Sequence, residues 1–235
     1  MGKPFAVLPP RGSPVSVATW VGEVASLARA VWSPPPFPDD APFGNRRPVV
    51  VVPGFCSPDL STAGLREFLT RQEFSAYSWD LGVNIGPTRT ILAGLERRLC
   101  EIAERHGEAP ALIGQSLGGT ISREVAKRRP DLISHLITIV SPIRTPVPTP
   151  IAPLAQFAAW VWDDEAHAVL DRLAEAPQVP LTAILNPNDG LLDWRCCRPD
   201  PAPNVEVVIV PGAHTTMGSN PDVQRVVATR LAPQR

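Results

Sequence analysis

A chain of 235 residues suits one α/β domain and hides roughly 70–75% of its unfolded surface, enough for a sizeable core. Hydrophobic residues make up 44%, charged residues 19%, and the formal net charge is −1. No long basic run occurs, so nucleic acid or an anionic membrane has no electrostatic footprint here.

No apolar run approaches the ~20 residues of a membrane span. The apolar stretch after Lys3 is interrupted at Pro9 and Pro10, so no signal peptide is visible. The expected location is cytoplasmic; a chain whose export signal had been trimmed would read the same way. Cys56, Cys100, Cys196 and Cys197 lack metal-ligand spacing and are expected to be free thiols. Proline is abundant, with 29 residues in all and clusters at 34–48, 142–153 and 199–203, which read as stiff connectors.

The first predicted element is a helix opening at Ser13 and Pro14, with Val17, Trp20, Val21, Val24, Leu27, Ala28 and Val31 at helical spacing. With the Pro-rich connector that follows, residues 1–47 read as an arm packed on the core. Pro48 to Val52 is a wholly apolar run, typical of a strand buried on both faces. A helix over 61–71, a strand over 75–81 and an amphipathic helix over 88–106 follow. A second buried strand at 111–114 leads to a helix over 120–128. Further strands are expected at 132–140, 181–185 and 205–210, and a closing helix at 221–231. This alternation predicts, over residues 48–235, a mainly parallel sheet of about six strands with helices on both faces. Residues 141–180 break the rhythm and read as a small helical cap insertion, its second helix capped by Asp163 or Asp164.

The chemistry centres on Gly114-Gln115-Ser116-Leu117-Gly118-Gly119, a G-x-S-x-G segment between a buried strand and a helix. That turn exposes a serine hydroxyl, and the helix N-terminus beneath it favours developing negative charge. A nucleophilic serine needs a base. Of the four histidines, His214 alone follows the last strand, in a loop that a parallel sheet aims at its active edge. The acid should leave an intervening strand end. Asp189, in Asn186-Pro187-Asn188-Asp189-Gly190, is the first choice and Asp193 the rival. Oxyanion donors are expected at the backbone N–H of Leu117 and, after Pro53-Gly54, of Phe55. In the cap, Leu154, Phe157, Ala158 and Val161 form one apolar stripe. Phe157, Trp160, Val161 and Trp162 are therefore candidates for the wall of an acyl pocket, with core packing as the alternative.

The set Val-Val-Pro-Gly-Phe, Gly-Gln-Ser-Leu-Gly-Gly, Asn-Asp-Gly and Gly-Ala-His resembles the bacterial lipase and esterase branch of the α/β-hydrolase superfamily over residues 48 to 232. The resemblance implies the α/β-hydrolase fold and hydrolysis of carboxylic esters by Ser116, Asp189 and His214, with no metal and no organic cofactor. The implied partner is a small-molecule ester or lipid; the oligomeric state stays open, a monomer being one form consistent with the sequence. Acyl transfer and thioester hydrolysis use the same triad, and a non-catalytic binding module would use the same fold. Two departures stand out. Pro53-Gly54 replaces the His-Gly of many relatives, and residues 1–47 offer a helix and loops where two further strands are usual.

Overall fold

A computed structural model describes residues 21–23, 25–26, 35–144 and 162–233. Its first strand is β1 (Pro48–Val52), whose five residues are all buried. An apolar run of this kind, flanked by prolines, has no polar face to offer water and is stable only inside a sheet covered on both sides. Around it lie α1 (Ala63–Arg71), β2 (Ser75–Ser78), α2 (Arg89–His106), β3 (Ala111–Gln115), α3 (Leu117–Arg128) and β4 (His135–Ile139). The chain continues through α4 (Asp164–Asp171), β5 (Leu181–Leu185), β6 (Val205–Ile209) and α5 (Pro221–Leu231).

The six strands form one all-parallel sheet in the order β2-β1-β3-β4-β5-β6. Strand side chains alternate between faces, so the valines of β1 serve two cores. Val49 and Val51 pack with Leu65, Phe68 and Leu69 of α1 and Val223, Val227 and Leu231 of α5. Val50 and Val52 pack with Leu92, Leu95 and Leu99 of α2, Ile121 and Val125 of α3, and Val169 of α4. The register pairs Val52 with Gly114, Gln115 with Ile139, Ile139 with Ile184, and Leu185 with Ile209. The exits of β1, β3, β5 and β6 therefore open along one edge.

Local chemistry sets the helix ends. The Thr88 hydroxyl accepts from Ile91 N–H at the start of α2, and Gly107 closes it in the left-handed region (φ 70°). Asn220 caps α5 just before Pro221, and Asp163 caps α4 by accepting from Ala166 N–H.

Several boundaries differ from expectation. β2 stops at Ser78, because Trp79 turns into the core and Asp80 and Gly82 take positive φ. The helix expected from residue 120 begins at Leu117, directly after the elbow serine. A 3-10 turn, Pro130–Leu132, occupies the start of the fourth predicted strand and leaves His135–Ile139. In the first helix, Val21 was expected on the apolar face, yet it is 54% exposed while Glu23 is 3% exposed. Phe157, Trp160 and Val161 lie outside the described residues. No helix among the described residues is long and apolar enough to cross a membrane.

Candidate active site

Ser116 stands where β3 passes into α3, with φ 52° and ψ −126°. A non-glycine residue in that region is strained, and surrounding contacts must hold it there. They come from both glycines of the motif. A Cβ on Gly114 would run into the backbone of Gly118 and Gly119, and one on Gly118 into the carbonyls of Val52 and Pro53. The turn is thus packed tightly against the end of β1, and the Ser116 N–H donates to the Ile139 carbonyl at 2.8 Å.

The loop leaving β1 lies against this elbow. A Cβ on Gly54 would stand 3.4 Å from the Ser116 Cβ. The N–H groups of Phe55 and Leu117 have no hydrogen-bond partner among the described residues. Asn84, fully buried, holds the loop. Its Nδ2 donates to the Pro53 carbonyl at 2.7 Å, its backbone carbonyl accepts from Cys56 N–H at 2.8 Å, and its Oδ1 accepts from Gly86 N–H at 3.1 Å.

Asp189 and His214 are both buried. The His214 Nδ1–H donates to Asp189 Oδ2 at 2.6 Å, which leaves Nε2 as the free ring nitrogen. Asp189 Oδ1 accepts from the N–H groups of Leu191 and Leu192, both at 2.8 Å. The rival Asp193 turns elsewhere: it caps the short Trp194–Cys197 helix and pairs with Arg195. The other histidines are engaged away from this edge. His106 bonds to Tyr77 and His135 to Thr182, while His167 faces the Asp163 carbonyl.

Three further side chains tie the loops together. Gln115, next to Ser116 in sequence, donates to the His214 carbonyl at 3.1 Å. Asn186 donates to the Gly212 carbonyl at 2.9 Å and accepts from Asn188 N–H at 3.0 Å, joining the β5 exit to the β6 exit. Glu23 reaches the same two loops from the N-terminal segment. The structure thus brings Ser116, Asp189, His214, Phe55 and Leu117 to one edge. Trp162 is a step removed: it donates to the Ile85 carbonyl at 2.6 Å, packs on Gly86, and so stands over the segment that Asn84 anchors. Glu23, Asn84 and Asn186 were not singled out from the sequence as site residues. Only Glu23 left a trace, as a carboxylate three residues after Trp20 and four before Leu27, on the apolar stripe itself.

Among the described residues no group of three or more His, Cys, Asp or Glu side chains is placed to hold a metal ion. A cleft of about 440 Å³ lined by Arg47, Glu108, His135 and Arg230 opens at the opposite edge of the sheet and contains none of the motif residues.

No family model matches the sequence, and no curated protein matches it. Solved structures do. A monoacylglycerol lipase from Paleococcus ferrophilus is similar with a TM-score of 0.58 and 17% identity over 81% of this chain and 96% of that one. The pyrethroid hydrolase PytH is similar with a TM-score of 0.54 and 17% identity over 78% and 96%. A thioesterase domain from the curacin biosynthetic pathway follows with a TM-score of 0.51 and 13% identity over 81% and 92%. The shared architecture is the α/β-hydrolase fold.

Proposed function

We infer that the protein hydrolyses carboxylic esters through a covalent acyl-enzyme, with Ser116 as nucleophile, His214 as base and Asp189 as the acid that orients it. The observation that carries the reading is the buried 2.6 Å hydrogen bond from His214 to Asp189, on the edge where Ser116 sits in its strained elbow. The lipase and hydrolases that share the fold give it support.

The chemistry runs in two balanced halves. The Ser116 Oγ attacks the ester carbonyl carbon while its proton passes to His214 Nε2. Negative charge gathers on the former carbonyl oxygen, where the Phe55 and Leu117 N–H groups can donate to it. The tetrahedral intermediate expels the alkoxide, which takes the proton from His214 and leaves as alcohol. Water then attacks the acyl carbon, again losing a proton to His214, and Ser116 departs with that proton as the carboxylic acid is released. Asp189 remains ionised throughout and stabilises the transient imidazolium. No direct hydrogen bond joins His214 to Ser116, and catalytic pairs of this kind commonly tighten only in the complex with substrate. No metal or organic cofactor has a part in this sequence. The acyl wall is assigned to Trp162 together with Phe157, Trp160 and Val161, which lie outside the described residues.

The test is a fluorophosphonate label located by mass spectrometry, together with a chain-length series of nitrophenyl esters. The reading requires labelling at Ser116 and loss of both labelling and ester turnover in Ser116→Ala. A label on any other residue, or an unreactive wild-type chain, refutes it. Product analysis in added alcohol, and a parallel thioester series, separate hydrolysis from acyl transfer and from thioesterase action.

A further inference from the structure

The geometry points to Glu23 as a positioning residue that fixes the acid and base loops relative to one another, a role that rests on the reading of Asp189 and His214 given above. Its carboxylate is almost completely buried, although it comes from a segment far from both loops in sequence. Oε1 accepts from Gly190 N–H at 3.0 Å and from His214 N–H at 2.8 Å. Oε2 accepts from Thr215 N–H at 3.0 Å and from the Thr215 hydroxyl at 3.1 Å. An ionised carboxylate is acceptor-only, with about four lone-pair sites, so these four donors fill it.

The identity of the donors carries the argument. Gly190 directly follows Asp189, and the His214 N–H belongs to the base itself. One carboxylate oxygen therefore sets the spacing between the main chain beside the acid and the main chain of the base. Among the described residues no other side chain bonds both. Asn186 joins the same loops, but through Asn188 and Gly212, which precede Asp189 and His214 in sequence.

Among the described residues no lysine or arginine pairs with Glu23, and its partners there are three N–H groups and a hydroxyl. An apolar side chain of similar size would leave these donors unpaired, which is costly for each buried group, so the carboxylate contributes to stability as well as to position. Only an acceptor can gather donors from two loops onto one group. A small error in the approach of acid to base is costly in catalysis, because the imidazole must present Nε2 to the nucleophile in one orientation. Glu23 touches the main chain of these loops and lies outside the row of reacting atoms.

The experiment compares Glu23→Gln and Glu23→Ala with wild type and with Glu67→Gln, a change at an exposed ion pair on α1. Each chain is assayed for kcat and KM on nitrophenyl butyrate, for the rate of fluorophosphonate labelling at Ser116, and for fold by near-UV circular dichroism. Gln keeps the shape and one acceptor oxygen but turns an amide toward the Thr215 N–H, so kcat should fall about 10-fold; Ala removes all four bonds and should cost about 100-fold or more. KM should stay within about two-fold in both, and labelling should slow in step with kcat. The Glu67→Gln chain should match wild type. If Glu23→Ala does not fold, the isosteric Glu23→Gln decides alone. Variants that melt earlier but keep wild-type kcat per folded molecule overturn the inference, since Glu23 is then only structural. So do folded variants with unchanged kcat. A wild-type chain that takes no label at Ser116 overturns the underlying reading, whereas a labelled wild type with indifferent Glu23 variants overturns this inference alone.

Discussion

Asn84 donates at 2.7 Å to the carbonyl of Pro53, the residue just before Gly54, which packs against the Ser116 elbow. It is fully buried, and its main chain and side chain together also bind Cys56, Ser57 and Gly86. Replacing Asn84 by alanine leaves the Pro53 carbonyl and the Gly86 N–H without partners, at about 1–3 kcal/mol for each buried group. The Phe55 N–H loses its bearing as well. Asn84→Ala should lower kcat about 10–100-fold with a smaller change in KM, the pattern of a weakened oxyanion donor. Steady-state kinetics with a nitrophenyl ester check this, and a change confined to KM contradicts it.

The two candidate acids make different predictions. Asp189 bonds to the His214 ring, whereas Asp193 caps a short helix and pairs with Arg195. Asp189→Asn should reduce kcat by about three to four orders of magnitude, since the amide no longer holds the productive tautomer. Asp193→Asn should stay within a few-fold of wild type, because asparagine caps a helix equally well. A larger loss at Asp193 would reverse the assignment.

Acid should loosen the packing of α4 on α3. Burial pushes the Glu124 carboxyl up, but hydrogen bonds from Arg172, Lys127 and Arg128 outweigh it and hold the group at about 2. Glu165 of α4 joins the same network through Arg172 and Arg128. Because the folded value lies below the free value of 4.5, the stabilisation is complete above pH 4.5 and is lost as pH falls toward about 2. Glu124→Gln should be about 1–3 kcal/mol less stable than wild type at pH 7, with the gap narrowing across that window. Denaturant melts at pH 7, 4 and 2.5 measure it, and a gap independent of pH assigns the stability to packing alone.

Cys56 follows Phe55, takes φ 53° and is expected not to act as a second nucleophile. Its side chain reaches solvent, but partial desolvation raises the thiol pKa, so little thiolate is present at neutral pH. Cys56→Ser should keep activity within about two-fold. A loss approaching that of Ser116→Ala would contradict the assignment of the nucleophile.

The elements nearest the chemistry were readable because their signals are local. Gly114, Ser116 and Gly118 carry the steric demands of the turn within five residues. Asp189 and His214 each sit just past a short apolar run, and a parallel sheet sends such loops to one edge. The supporting residues carry no such signature. Asn84 lies in Val83-Asn84-Ile85, and its function depends on a carbonyl 31 residues away. Val21 illustrates the same limit. Helical periodicity put it inside, but the four donors waiting for Glu23 turn that segment so that the acidic side chain is buried and Val21 faces water. The six strands were anticipated, while the end of β2 was not, because Trp79 packs inward at the very point where the backbone turns away.

The Glu23 bonds also set an order in time. His214 and Thr215 lie 191 and 192 residues further along the chain. At ribosomal rates of about 5–20 residues per second, roughly 10–40 s separate the emergence of the carboxylate from that of the loop that donates to it. Throughout that interval the acidic side chain must remain hydrated, and for about its second half the elbow serine is outside the ribosome without His214. Joining Glu23 to a loop 191 residues further on also closes a very long stretch of chain, an entropic cost that neighbouring secondary structure must first reduce. Competence for chemistry should therefore arrive only after the sheet that carries it is complete.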